Sequence, residues 1–130
     1  MKENHRVYKI LLIDDDKFLL DMYATKFNEK GFDVTAVFGG TDALSKLEDG
    51  LDPDIILTDV VMPIMDGFEF LAELRKRKLA PDARAIVLSN LGQKEDIEKG
   101  MVLGAKGYII KATSTPTEVV NKVLEIVETK

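Results

Sequence analysis

The chain has 130 residues, a formal net charge of −5, 45% hydrophobic and 32% charged residues, and no cysteine. This describes one globular domain with enough apolar content for a core, and it excludes a disulfide framework, a thiolate nucleophile and a thiolate metal site. The acidic balance argues against nucleic acid as a direct partner. No apolar run approaches the ~20 residues of a membrane span, so a cytoplasmic protein with no membrane partner is expected.

Residues 1–130 are expected to form a single domain, with 1–6 as a flexible N-terminal tail that includes His5. Val7–Ile13 is an apolar run too short for a helix and stopped by Asp14, Asp15 and Asp16. It reads as a first strand buried on both faces. Lys17–Lys30 carries Leu19, Leu20, Tyr23 and Phe27 at helical spacing, with Gly31 where a C-terminal glycine belongs. Phe32–Val37 is the second strand. Thr41 is the expected N-cap of a short helix through Ala43, Leu44 and Leu47, ending near Gly50. Ile55–Asp59 is the third strand.

Phe68–Lys78 reads as a third helix with Phe70, Leu71 and Leu74 on one side. Arg75, Lys76, Arg77 and Lys78 suit its negative C-terminal end. Ala85–Leu88 is a fourth strand ending at Ser89. Lys94–Leu103 is a weaker helix, interrupted by Gly100, with Ile97 and Met101 expected inward. Gly107–Ile110 is a fifth strand ending at Lys111. Thr115, Pro116 and Glu118 then give a cap, a first-position proline and a capping-box glutamate for a last helix whose stripe is Val120, Val123, Leu124 and Val127.

Five strands alternating with five helices imply a doubly wound α/β fold with helices on both faces of a parallel sheet. The expected architecture is flavodoxin-like (βα)5, with strand order 2-1-3-4-5. Ligands of such sheets bind beyond the carboxyl ends of the strands. There the first strand delivers Asp14, Asp15 and Asp16, the third Asp59, the fourth Ser89 and the fifth Lys111. Clustered carboxylates repel, and a hard divalent cation relieves the repulsion. Mg2+ fits, because it is held by one or two carboxylates, waters and phosphate oxygens. Lys111 can pair with Asp59 or with a phosphoryl oxygen, and Ser89 can bond the same oxygens. The set makes an electrostatic clamp for a phosphoryl group, with Asp59 as the oxygen nucleophile.

Ile10–Asp16, Pro53–Asp59, Met62-Pro63-Ile64-Met65-Asp66-Gly67, Ser89 and Gly104–Lys111 together resemble the receiver domain of two-component response regulators, of the single-domain chemotaxis type. The resemblance runs from about Tyr8 to Val127. It implies that Asp59 accepts a phosphoryl group from a histidine kinase or phosphotransfer protein, in a phosphorelay that ends on an unknown downstream protein. It implies Mg2+, with Mn2+ as a substitute, held by Asp14, Asp15, Asp59 and the backbone carbonyl of Val61. Ser89 and Tyr108 become switch residues, Ser89 and Lys111 catalytic partners of Asp59, and the fourth helix, fifth strand and fifth helix the output surface. Such a module catalyses its own phosphorylation and slow dephosphorylation without being a metabolic enzyme. It is monomeric, with dimerisation on phosphorylation as the alternative state.

The chain departs from that pattern in places. Ala112 replaces the usual proline after the lysine, so either a trans peptide or a strained loop is expected. Asn90 replaces a small residue and stands where it narrows access to Asp59 or bonds the phosphoryl group. Val61 and Leu91 occupy positions that influence dephosphorylation in the family. Both are apolar and cannot orient an attacking water, which predicts a long-lived aspartyl phosphate.

Blander roles compete with these. Three aspartates could cap a helix, although capping needs fewer, and Tyr108 could be packing. At the level of function, a haloacid-dehalogenase-like phosphatase would also use aspartates, a serine and a lysine, but its late acidic pair follows the lysine, whereas here Asp59 precedes Ser89 and no strand-end acidic pair follows Lys111. A pseudo-receiver, an interaction module without phosphorylation, usually loses an acid or the lysine, and here all are present.

Overall fold

The computed structural model describes residues 6–128. Its elements run β1 (Lys9–Ile13), α1 (Lys17–Glu29), β2 (Asp33–Val37), α2 (Gly40–Glu48), β3 (Ile55–Thr58), α3 (Gly67–Arg77), β4 (Arg84–Ser89), α4 (Lys94–Val102), β5 (Gly107–Ile110), a 3-10 turn (Lys111–Thr113) and α5 (Pro116–Glu128). The five strands form one parallel sheet in the order β2-β1-β3-β4-β5. Ile13 pairs with Thr58, Thr58 with Val87, and Ser89 with Ile110. The carboxyl ends of β1, β3, β4 and β5 therefore open onto one edge.

The strands are apolar at consecutive positions because both faces are covered. Leu11, Ile13, Ile56 and Val87 face the side on which α2 and α3 pack through Leu44, Leu47, Phe70 and Leu71. Ile10, Leu12, Ile55, Leu57, Ile86 and Ile109 face α1 and α5 through Leu20, Phe27, Val120 and Val123. Alternate residues of a strand point to opposite faces, so each strand feeds both cores.

The helix ends follow local chemistry. Asp16 caps α1, its carboxylate accepting from the Leu19 amide at 3.1 Å. Asp66 and Glu69 form a capping box on α3, and Thr115 and Glu118 exchange the same pair of bonds on α5. These reciprocal bonds satisfy amides that a helix leaves unpaired.

Two sequence expectations are corrected. The N-cap of α2 is Gly39, not Thr41, which lies exposed in the first turn. Gly40, the first residue of that helix, is closely packed: a Cβ there would stand 3.0 Å from Sδ of Met65, in the loop before α3, and 3.4 Å from Cβ of Phe70 on α3. Met101 is exposed, and the buried residue of α4 is Gly100, which rests on the ring of Tyr108. One residue along a helix turns the side chain by about 100°, so Gly100 inward sends Met101 outward.

Residues 1–5 of the expected tail, His5 included, lie outside the described residues. Arg6 is described, and its guanidinium bonds Asp54 at 2.9 Å and lies 4.9 Å from the centre of the Tyr8 ring.

Candidate phosphoryl and metal site

Asp14 and Asp59 each stand one residue beyond a strand. The Asp14 amide donates to the carbonyl of Val37 on β2 at 3.2 Å, and the Asp59 amide donates to the carbonyl of Ile13 on β1 at 3.0 Å. The sheet pairing thus continues through both residues and fixes their backbones. Lys111, at the end of β5, reaches back across the edge. Its Nζ donates to Oδ2 of Asp14 at 2.7 Å and to Oδ2 of Asp59 at 2.9 Å. All three side chains are about nine-tenths buried, at 8%, 5% and 11% exposure.

The remaining carboxylate oxygens are also engaged. Oδ1 of Asp59 accepts from the Val60 amide at 2.7 Å, and Oδ1 of Asp14 accepts from the Asp16 amide at 2.9 Å. Burial raises the pKa of Asp59 and neighbouring Asp14 adds to the rise, while Lys111 and the Val60 amide oppose it. Burial also opposes the charged form of Lys111, but its bonds to Asp14 and Asp59 outweigh that and raise its pKa. One ammonium therefore holds two carboxylates in a partly dry pocket, a deficit of one positive charge.

That deficit suits a divalent cation. Carboxylate oxygens of Asp14, Asp15 and Asp59 lie within 4.8 Å of one another, with Asp15 on the solvent side. The donor set is all oxygen and carries formal charge, which fits a hard ion such as Mg2+ and not a soft one. The aspartate triplet divides between two tasks: Asp14 and Asp15 face the pocket, and Asp16 caps α1.

Ser89 is buried at the end of β4. Its Oγ accepts from the Leu91 amide at 3.1 Å, and the Tyr108 hydroxyl donates to the Leu91 carbonyl at 2.5 Å. The two expected switch residues thus hold one peptide residue of the β4–α4 loop from its two polar ends. The Tyr108 hydroxyl has its pKa raised first by burial, then by Asp96, with Ser89 opposing and Asp59 adding. Among the described residues there is no cis peptide, so Lys111–Ala112 is trans. Of the residues that depart from the family pattern, Asn90 is exposed, Leu91 half-buried and Val61 63% exposed on the rim.

Several structural roles escaped the sequence reading. Gly67 touches the backbone of Asp59, and Gly100 seats Tyr108. A lone Asp-Gly pair signals a turn, and neither close approach has a local signature. Ile64 has a φ of 72°, unusual for a β-branched residue. Tyr23 read as one more residue of an apolar stripe, and it lines the pocket wall beside Asp14 and Asp59.

Fold and pocket define a doubly wound α/β module with an acidic, lysine-bridged cluster at the carboxyl edge of its sheet. The family model of the response regulator receiver domain matches residues 10–124. The regulatory protein VanRc of Enterococcus gallinarum is 35% identical over 117 residues, which cover 88% of this chain and 48% of that protein. Among solved structures, the chemotaxis response regulator CheY4 of Vibrio cholerae superposes with a TM-score of 0.84 at 26% identity, covering 93% of this chain and 99% of that one. The receiver domain of the Francisella response regulator 1452 superposes with a TM-score of 0.82 at 33% identity, covering 93% and 97%. The chain belongs to the response regulator receiver family. It spans about half the length of the curated relatives it matches, and among its described residues no helix is long and apolar enough to cross a membrane.

Proposed function

We propose that this chain is a phospho-acceptor of a two-component pathway and that Asp59 carries the phosphoryl group. In this reading a carboxylate oxygen of Asp59 attacks the phosphorus of a phosphohistidine on a histidine kinase or phosphotransfer protein. The new O–P bond forms as the P–N bond breaks, and the electron pair leaves with the imidazole. Asp14, Asp15, Asp59 and the Val61 carbonyl would hold Mg2+, which neutralises charge on the phosphoryl oxygens when bound. Lys111 and Ser89 supply hydrogen bonds to the same oxygens.

The observation that carries this reading is the Asp14–Lys111–Asp59 cluster. Burying two carboxylates against one ammonium is expensive for a structural role alone, and it is the charge arrangement that an added cation and a phosphoryl group complete. A pseudo-receiver would have no use for it. Phosphorylation would draw Ser89 away from the Leu91 amide toward the phosphoryl oxygens and free the Tyr108–Leu91 bond. The rearrangement would reach the α4–β5–α5 surface, where an unidentified downstream protein would bind. A cytoplasmic location, and a monomer that dimerises only when phosphorylated, complete the proposal.

The test is direct. The protein is incubated with Mg2+ and phosphoramidate, and its intact mass is measured. One phosphoryl addition, absent in Asp59→Asn and absent with excess EDTA, supports the reading. No addition to the wild type, with the fold intact, overturns it.

A further inference from the structure

Leu20, Tyr23 and Phe27 form the buried stripe of α1, and Tyr23 is its polar member. Helical side chains lean toward the N-terminus of their helix. The N-terminus of α1 lies directly after Asp14, Asp15 and Asp16, so the phenol of Tyr23 is directed back toward the carboxyl edge of the sheet. Tyr23 is 5% exposed. Burial is the first influence on its hydroxyl and raises its pKa, and it lies within electrostatic reach of Lys111, Asp14 and Asp59. Among the described residues the hydroxyl has no hydrogen-bond partner. A buried hydroxyl without a partner is unfavourable where leucine or phenylalanine would fill the same space.

Tyr23, Asp14 and Asp59 share the walls of a small pocket with about 10 Å³ of room, lined otherwise by Leu12, Ile13, Leu20, Leu57 and Leu88. That is about the room one water needs, and a buried water needs two to four polar partners. A water here can donate one proton to each carboxylate and accept the phenol O–H on a lone pair. Each carboxylate has acceptor capacity left beyond its amide and its bond to Lys111.

We propose that Tyr23 is a positioning residue of the acidic pocket, its hydroxyl joined to Asp14 and Asp59 through a single water in the cavity the three share. The link fixes both carboxylates from the apolar side of the site, opposite the side that a phosphoryl donor approaches. The effect on phosphorylation rests on Asp59 being the phospho-acceptor.

The test compares the full chain with Tyr23→Phe, which keeps the ring, and Tyr23→Leu, which removes it. Phosphorylation by phosphoramidate with Mg2+ is followed over a range of donor concentrations. The expected result is a maximal rate lowered roughly tenfold in Tyr23→Phe, with the half-saturating donor concentration unchanged and Tyr23→Leu no faster. A wild-type rate in Tyr23→Phe alongside a slow Tyr23→Leu assigns Tyr23 to packing alone and overturns the proposal. If the wild type accepts no phosphoryl group, the phospho-acceptor reading has failed, and metal-free NMR decides on Tyr23 separately. The Val60 and Asp16 amides, which donate to Asp59 and Asp14, shift in Tyr23→Phe if the hydroxyl positions those carboxylates. They stay in place if it does not.

Discussion

Gly67 and Asp59 meet backbone to backbone: a Cβ on Gly67 would stand 2.1 Å from the carbonyl oxygen of Asp59 and 2.9 Å from Cα of Val60. The Gly67 amide also donates to the Val60 carbonyl at 2.8 Å. The start of α3 is therefore pressed onto the peptide that carries the candidate nucleophile. Gly67→Ala forces the helix or the Asp59 peptide to move, and neither is a flexible side-chain tip. The expected cost is about 3 kcal/mol, measured by urea unfolding, together with loss of phosphoryl uptake. A variant as stable as the wild type would refute the contact.

Asp59 carries a pH prediction. Its pKa is raised above 3.8 in the folded chain, with burial first among the causes. A carboxyl with a raised folded pKa binds its proton more tightly in the folded state. Its contribution is present below the unfolded value and is lost as pH rises through the folded one. In EDTA at neutral pH, Asp59→Asn should thus be more stable than the wild type. The gap should close as pH falls toward 3.8. Thermal melts across that window, with Mg2+ added back at neutral pH to stabilise the wild type selectively, check the sign.

Ile64 is 92% exposed and has a left-handed φ of 72°. A β-branched residue pays about 1–2 kcal/mol there, and asparagine tolerates the same backbone far better. Little packing is lost at so exposed a position. Ile64→Asn should raise stability by about 1 kcal/mol in urea unfolding, and an equal or lower stability would show that the loop relaxes without strain.

In the proposed reading, Val61 and Leu91 govern how long a phosphate on Asp59 lasts. Val61 and Leu91 offer no hydrogen-bonding group to a water approaching the phosphorus, so the aspartyl phosphate should persist well beyond seconds after the donor is removed. The double substitution Val61→Asn and Leu91→Glu supplies such groups and should speed loss by roughly tenfold or more. Decay of the phosphorylated mass with time is the measurement. Equal decay in both proteins would place control of the lifetime elsewhere.

By itself the sequence determined the alternation of strands and helices and the polar residue at each strand end. Consecutive apolar positions, glycine stops and capping pairs such as Thr115 with Glu118 act over a few residues and leave a local signature. Only the tertiary structure decided how those strand ends are used. It divided Asp14, Asp15 and Asp16 between pocket and cap, gave Lys111 to two carboxylates at once, and put Gly67 against Asp59. It also brought the phenol of Tyr23 to the inner wall of the site and turned Met101 to solvent. Each outcome depends on which segments meet after the crossovers and on the register of the sheet, and residues such as Lys111 and Asp14, 97 positions apart, carry no trace of that meeting in their own neighbourhoods.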